Sequence, residues 1–108
     1  MLPAPAAPPP SLQPSQPSID PLTRETELIT AARAAIASAP SAALASLDEH
    51  QRDFPDGQLA PEREFLAVDA LRRLNRQGEA RQRSLDLTRR FPSSSYGARA
   101  LQILDVAP

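Results

Sequence analysis

His50 is the single histidine of this 108-residue chain, and Asp48, Glu49 and Asp53 stand beside it. An imidazole among carboxylates is the raw material of a metal site or a general base. The spacing works against both. On a helix only His50 and Asp53, an i, i+3 pair, share a face, while Asp48 and Glu49 point elsewhere around the axis. His50 is therefore read as a solvated or surface-packed side chain. No nucleophile–base pair stands out, because a Ser–His–Asp combination arises by chance in a chain this rich in Ser and Asp. Gly57, Gly78 and Gly97 are scattered turn residues and build no phosphate loop. The absence of cysteine excludes disulfides and thiolate ligation and leaves the redox compartment open. The sequence predicts no catalytic residue, no cofactor and no metal.

The other chemistry-bearing group is cationic. All twelve basic residues are arginines, and Arg72, Arg73, Arg76, Arg81, Arg83, Arg89 and Arg90 crowd one stretch. Such a cluster suits phosphate or an acidic peptide. Its acids are interspersed, however, and Asp69, Glu79 and Asp86 are placed to pair with it. No aromatic side chain interleaves to stack on bases. With a net charge of −1, the expectation is a solvated outer face, and nucleic acid is disfavoured as a partner. The charge is uneven along the chain. Residues 20–58 hold three Arg against seven acids, and residues 59–108 hold nine Arg against six. Opposite signs on successive segments would help them stack on each other or on another molecule, and a solvated surface accounts for the pattern equally well.

Elements must hold these groups in place. Residues 1–19 contain seven of the thirteen prolines and no charge, which predicts a disordered, polyproline-like linker. The linker is expected to tie the folded part to something upstream, such as a membrane anchor, with Met1 opening a fragment. No signal peptide is legible, and no stretch approaches the roughly 18 apolar residues of a membrane span. Residues 20–108 read as one all-α domain. Asp20-Pro21 opens a first helix with a stripe of Leu22, Leu28, Ile29, Ala32 and Ile36, leaving Glu25 and Glu27 off it, and Pro40 ends it near Ala39. Ser41 caps a second helix, Ala42 to Asp53, closed by Phe54-Pro55-Asp56-Gly57. Pro61-Glu62 starts a third, burying Phe65, Leu66, Val68, Leu71 and Leu74. Asn75 takes the left-handed exit position. A fourth runs from Gly78 to Arg90 with Ala80, Ser84, Leu87 and Phe91 inward. Ser93 to Ser95 cap a short fifth helix bearing Tyr96, Leu101 and Leu104.

The strongest pattern is a repeat. Ala43, ten residues, then Phe54-Pro55 returns 37 residues later as Ala80, ten residues, then Phe91-Pro92. Periods of 20–50 residues mark helical arrays whose units cannot bury an apolar face alone. With Ala31, and the run Leu74 to Ala80 leading into the fourth helix, this resembles the tetratricopeptide repeat. Glu27 and Glu64, then Ala34 and Leu71, stand where that signature has Trp and Tyr. The segment Phe91-Pro-Ser-Ser-Ser-Tyr-Gly-Ala-Arg-Ala is similar to a variant found in bacterial cell-envelope proteins. Among them are the Tol–Pal-associated periplasmic coordinator, the outer-membrane assembly lipoprotein and the C-terminal domains of single-pass envelope regulators.

The resemblance implies two tetratricopeptide-like antiparallel hairpins plus a capping helix. It also implies a non-catalytic protein–protein interaction scaffold in the bacterial envelope or periplasm, with the cytoplasm as the alternative compartment. The first helix of each repeat would line the groove. That assigns partner binding to Leu28, Ala32, Ala35 and Ile36, then Phe65, Asp69, Arg72 and Arg73, holding a peptide by an apolar patch at one end and Arg at the other. Two repeats make a shallow groove, so homo-oligomer formation through exposed alanine faces is the alternative function. A small Arg-mediated nucleic-acid binder is the third reading.

Overall fold

In the computed structural model of the chain, the described residues are 20–106, so the proline-rich segment 1–19 lies outside them. All regular structure among them is helical: α1 (Pro21–Ala35), α2 (Pro40–Asp53), α3 (Ala60–Arg73), α4 (Gln77–Arg90) and α5 (Ser95–Val106).

The ends follow from local chemistry. Asp20 caps α1: its carboxylate accepts the Leu22 N–H at 3.2 Å and the Thr23 hydroxyl at 3.1 Å, and Pro21 fills the first helical position, where no amide is needed. α1 ends at Ala35, sooner than Pro40 alone requires, and the chain tightens into a turn in which the Ala39 N–H bonds the Ala35 carbonyl at 2.7 Å. Ser41 does not cap α2. Pro40 itself is the first helical residue, with Ala39 at the cap and no side-chain bond there, so Ser41 already lies in the first turn. At the exit of α3, Asn75 adopts φ 62°. The Arg76 N–H bonds Leu71 O and the Asn75 N–H bonds Arg72 O, which closes a Schellman turn. Ser94 caps α5 by accepting the Tyr96 N–H at 3.1 Å.

Each helix packs on the next in sequence, and α3 also meets both α1 and α5. One apolar cluster joins Ile29 and Ala32 of α1, Ala43 and Leu47 of α2, and Leu66 and Ala67 of α3. A second joins Val68 and Leu71 of α3, Ala80 and Leu87 of α4, and Ala100 and Leu104 of α5. α3 thus serves both, and Leu44 and Phe65 pack against both. Buried alanines bring the backbones close, while Leu47 and Leu87, each fully enclosed, contribute about 1.5–3 kcal/mol apiece. Phe65 of α3, Leu74 at its C-cap, and Tyr96 and Leu101 of α5 are half-buried rather than enclosed.

Charge follows the same seams. Arg83 of α4 reaches Asp48 of α2 at 3.7 Å, and Arg90 reaches Asp56 at 3.8 Å. Arg33 of α1 pairs with Glu62 of α3. Arg83 and Arg90 thus bring the basic second half onto acids of the first half, while Arg33–Glu62 pairs in the opposite sense.

Candidate functional site

Positions 28, 32 and 35 of α1 and 36 at its C-cap recur 37 residues later as 65, 69, 72 and 73 on α3, and each set shares one helix face by its spacing. The structure treats the two sets differently. Ala32 is fully buried in the first cluster and offers no surface, while Leu28, Ala35 and Ile36 are half-buried. On α3, Phe65, Asp69 and Arg72 are half-buried and Arg73 is exposed. Asp69 Oδ1 accepts from Arg72 Nη2 at 2.6 Å and from Arg73 Nε at 3.3 Å. One carboxylate thus braces two guanidiniums and leaves a surplus positive charge. Phe65 meets Tyr96 of α5 with ring centroids 5.5 Å apart, and the Arg99 guanidinium lies 5.0 Å from the centre of each ring. The α3–α5 surface therefore carries aromatic and cationic groups together. Tyr96 and Arg99 complete it; the sequence put Tyr96 on the fifth helix without a binding role and gave Arg99 none.

A second assembly is internal, and it corrects the reading of two residues. His50 is fully buried, not solvated, and Glu25 lies on the inward stripe, four residues before Ile29, and is buried too. His50 Nε2 is 3.0 Å from Glu25 Oε1, which also accepts the Leu59 N–H at 3.2 Å. On the other side of the ring, Nδ1 is 3.3 Å from Arg63 Nη1. Arg63, wholly enclosed, donates from Nη1 to Phe54 O at 3.2 Å and from Nε to Glu64 Oε2 at 2.6 Å. Glu64 in turn accepts from Arg83 Nε at 2.7 Å. A buried polar chain thus runs Glu25–His50–Arg63–Glu64–Arg83 across α1, α2, α3 and α4.

Burial holds the His50 pKa below its ordinary 6.5; the hydrogen bond that His50 donates to Glu25 opposes this, and Arg63 adds to it. The neutral ring then has one consistent arrangement, with Nε2–H donating to Glu25 and Nδ1 accepting from Arg63. For Glu64, burial works against ionisation, yet the bonds and charge of Arg83, then Arg63, outweigh it and keep the carboxyl below 4.5. Both ring nitrogens of His50 are engaged internally, so the arrangement positions helices and leaves no free lone pair for a metal or a substrate.

The repeat itself contained the missed signal. Shifted by 37 residues, Ala43, Leu47 and His50 coincide with Ala80, Ser84 and Leu87, and all six are fully buried. Assigning Leu87 inward therefore assigns His50 inward as well.

A cleft of about 470 Å³ opens between α2 and α4 over a different face of α3, floored by Leu44 and Leu71. Its charges are largely mutual: Arg76 holds Glu79 at 2.7 Å, and Arg83 holds Glu64. No helix among the described residues is long and apolar enough to cross a membrane. Compared with protein-family models, curated proteins and solved structures, the chain matches none.

Proposed function

We propose that this chain is a non-catalytic, tetratricopeptide-like protein-interaction module that receives a peptide on the α3–α5 surface. The observation that carries the reading is the half-exposed Phe65 with Tyr96, overlaid by Arg99, beside the Asp69-braced pair Arg72 and Arg73. An apolar anchor next to surplus guanidinium charge suits an acidic peptide bearing an aliphatic or aromatic side chain. Ala35 and Ile36, which pack with Phe65 against the first apolar cluster, extend the surface toward α1, and by the resemblance Leu28 lies further along the same face. The enclosed His50 supports a non-catalytic role, because a general base must reach its substrate. Away from Arg72 and Arg73, the Arg cluster is mostly partnered: Arg76, Arg83, Arg89 and Arg90 each meet a carboxylate, which favours a protein partner over nucleic acid. Placement in a bacterial envelope, as a tethered scaffold or regulatory module, rests on the resemblance carried by residues 91–100.

The test is a nitrogen-15 titration of the intact chain with synthetic acidic peptides containing one Leu or Phe. Shift changes are expected to gather on α3 and α5, and Phe65→Ala combined with Arg73→Ala is expected to weaken binding about tenfold or more. Changes confined to α2 and α4, or a concentration-independent dimer by light scattering that buries Phe65, would replace this reading with another.

A further inference from the structure

The two halves of the chain solve one buried position differently. Leu87 fills it in the second half with an apolar side chain, while the first half places a titratable ring there, His50, at zero exposure. A buried polar network in place of a leucine brings no evident gain in stability and is well suited to a switch.

The charge arithmetic of the site is specific. With His50 neutral, the buried carboxylates of Glu25 and Glu64 balance the guanidiniums of Arg63 and Arg83, while Asp48, exposed, meets only Nη1 of Arg83 at 3.7 Å on the outer side. The groups facing the ring are Glu25 from α1 and Arg63, backed by Glu64, from α3, with Arg83 of α4 behind Glu64. On its own helix, Glu49 and Asp53 are turned to Arg24, at 3.6 and 3.4 Å, and the Phe54 ring lies 5.4 Å away, centroid to centroid. A proton added to His50 must go on Nδ1, because Nε2 already carries one. There it meets Arg63 Nη1 at 3.3 Å, donor against donor and cation against cation, in a buried site where the repulsion is poorly screened. Toward Glu25 the same proton strengthens the contact. The break therefore falls on one side of the ring only.

We propose that His50 is an acid-sensitive latch on the seam between the α1–α2 pair and α3: protonation keeps it with Glu25, drives it from Arg63, and loosens that pair while α3, α4 and α5 stay packed.

The sign follows from burial. Because the folded value lies below the ordinary 6.5, the neutral-ring contribution is complete above 6.5. It is lost as pH falls from there through the folded midpoint, where the opened state binds the proton first.

His50 is the only histidine, so its ring C–H signal in the intact chain is unambiguous. Its titration midpoint is expected below 6.5, with the Nε2–H tautomer above that midpoint. After correction for intrinsic exchange, amide opening in α1, α2 and residues 54–60 is expected to rise by up to about tenfold per pH unit through this window, with α4 and α5 unchanged. His50→Leu, which installs the residue of the matching position, is expected to remove the pH-dependent difference between the halves. A midpoint at or above 6.5, equal acceleration in all five helices, or an unchanged difference in His50→Leu would each overturn the latch. If that variant does not fold, the titration and exchange of the natural chain decide alone.

Discussion

Gly57 shows how tightly the buried polar chain is fitted. Its backbone needs no left-handed conformation, since no glycine has positive φ among the described residues. Space is the constraint: a Cβ there would overlap Glu25 Oε1 and lie 2.6 Å from Glu25 Cδ. Glu25 has little freedom to yield, because the same oxygen receives His50 Nε2 and the Leu59 N–H. Gly57→Ala is expected to destabilise the chain by about 1–3 kcal/mol, the usual cost of overpacking, read as a lower denaturation midpoint at unchanged slope. Gly78, where a Cβ meets nothing within 4 Å, is the control, and an equal loss in Gly78→Ala would remove the steric argument. Composition hides this fit. Glu25 looks like a surface acid until it is counted on the stripe with Ile29, Ala32 and Ile36, and His50 looks solvated because its sequence neighbours are charged. Burial of a polar residue depends on partners distant in sequence, here Arg63 and Leu59, and no local pattern supplies them.

Helix boundaries were legible where one residue type decides them. Asp20-Pro21 and the proline after each Phe act through missing amides and a side-chain cap, so they read directly from the sequence. The start of α2 did not. Ser41 is a good cap in isolation, but Pro40 has no amide to satisfy and takes the first helical position ahead of it. Asn75 is the boundary that bears most on the array, because its turn sets the entry of α4 onto α3. At φ 62° a β-branched side chain crowds the backbone. Asn75→Val is expected to cost about 1–2 kcal/mol, and Asn75→Gly to be neutral or slightly stabilising, by thermal or denaturant unfolding. Equal stability of the two variants would mean that the Schellman bonds from Arg76 and Asn75 do not fix this turn.

At the scale of the whole molecule, two small apolar clusters share α3, and Leu44 of α2 and Phe65 of α3 itself tie them together. The period of the sequence announced two similar units; it did not announce that Leu44 and Phe65 each touch both clusters, which only the crossing of the helices determines. In such an array, cooperativity rests on neighbour contacts rather than on one central core. Leu44 carries this coupling outside the proposed peptide surface, so it isolates the effect. Leu44→Ala is expected to cost about 2 kcal/mol, the low end for truncating a leucine because the side chain is only half-buried. The more telling effect is on cooperativity. Tyr96 is the only tyrosine and the chain has no tryptophan, so its fluorescence follows the second cluster, against which it packs. The His50 resonance follows the first half. In the natural chain the two signals are expected to change together on denaturation. In Leu44→Ala the His50 signal is expected to change first, because its half depends on a buried polar chain where the other has leucine. Coincident transitions in the variant would show that Phe65 and the ion pairs of Arg83 and Arg90 couple the halves without Leu44.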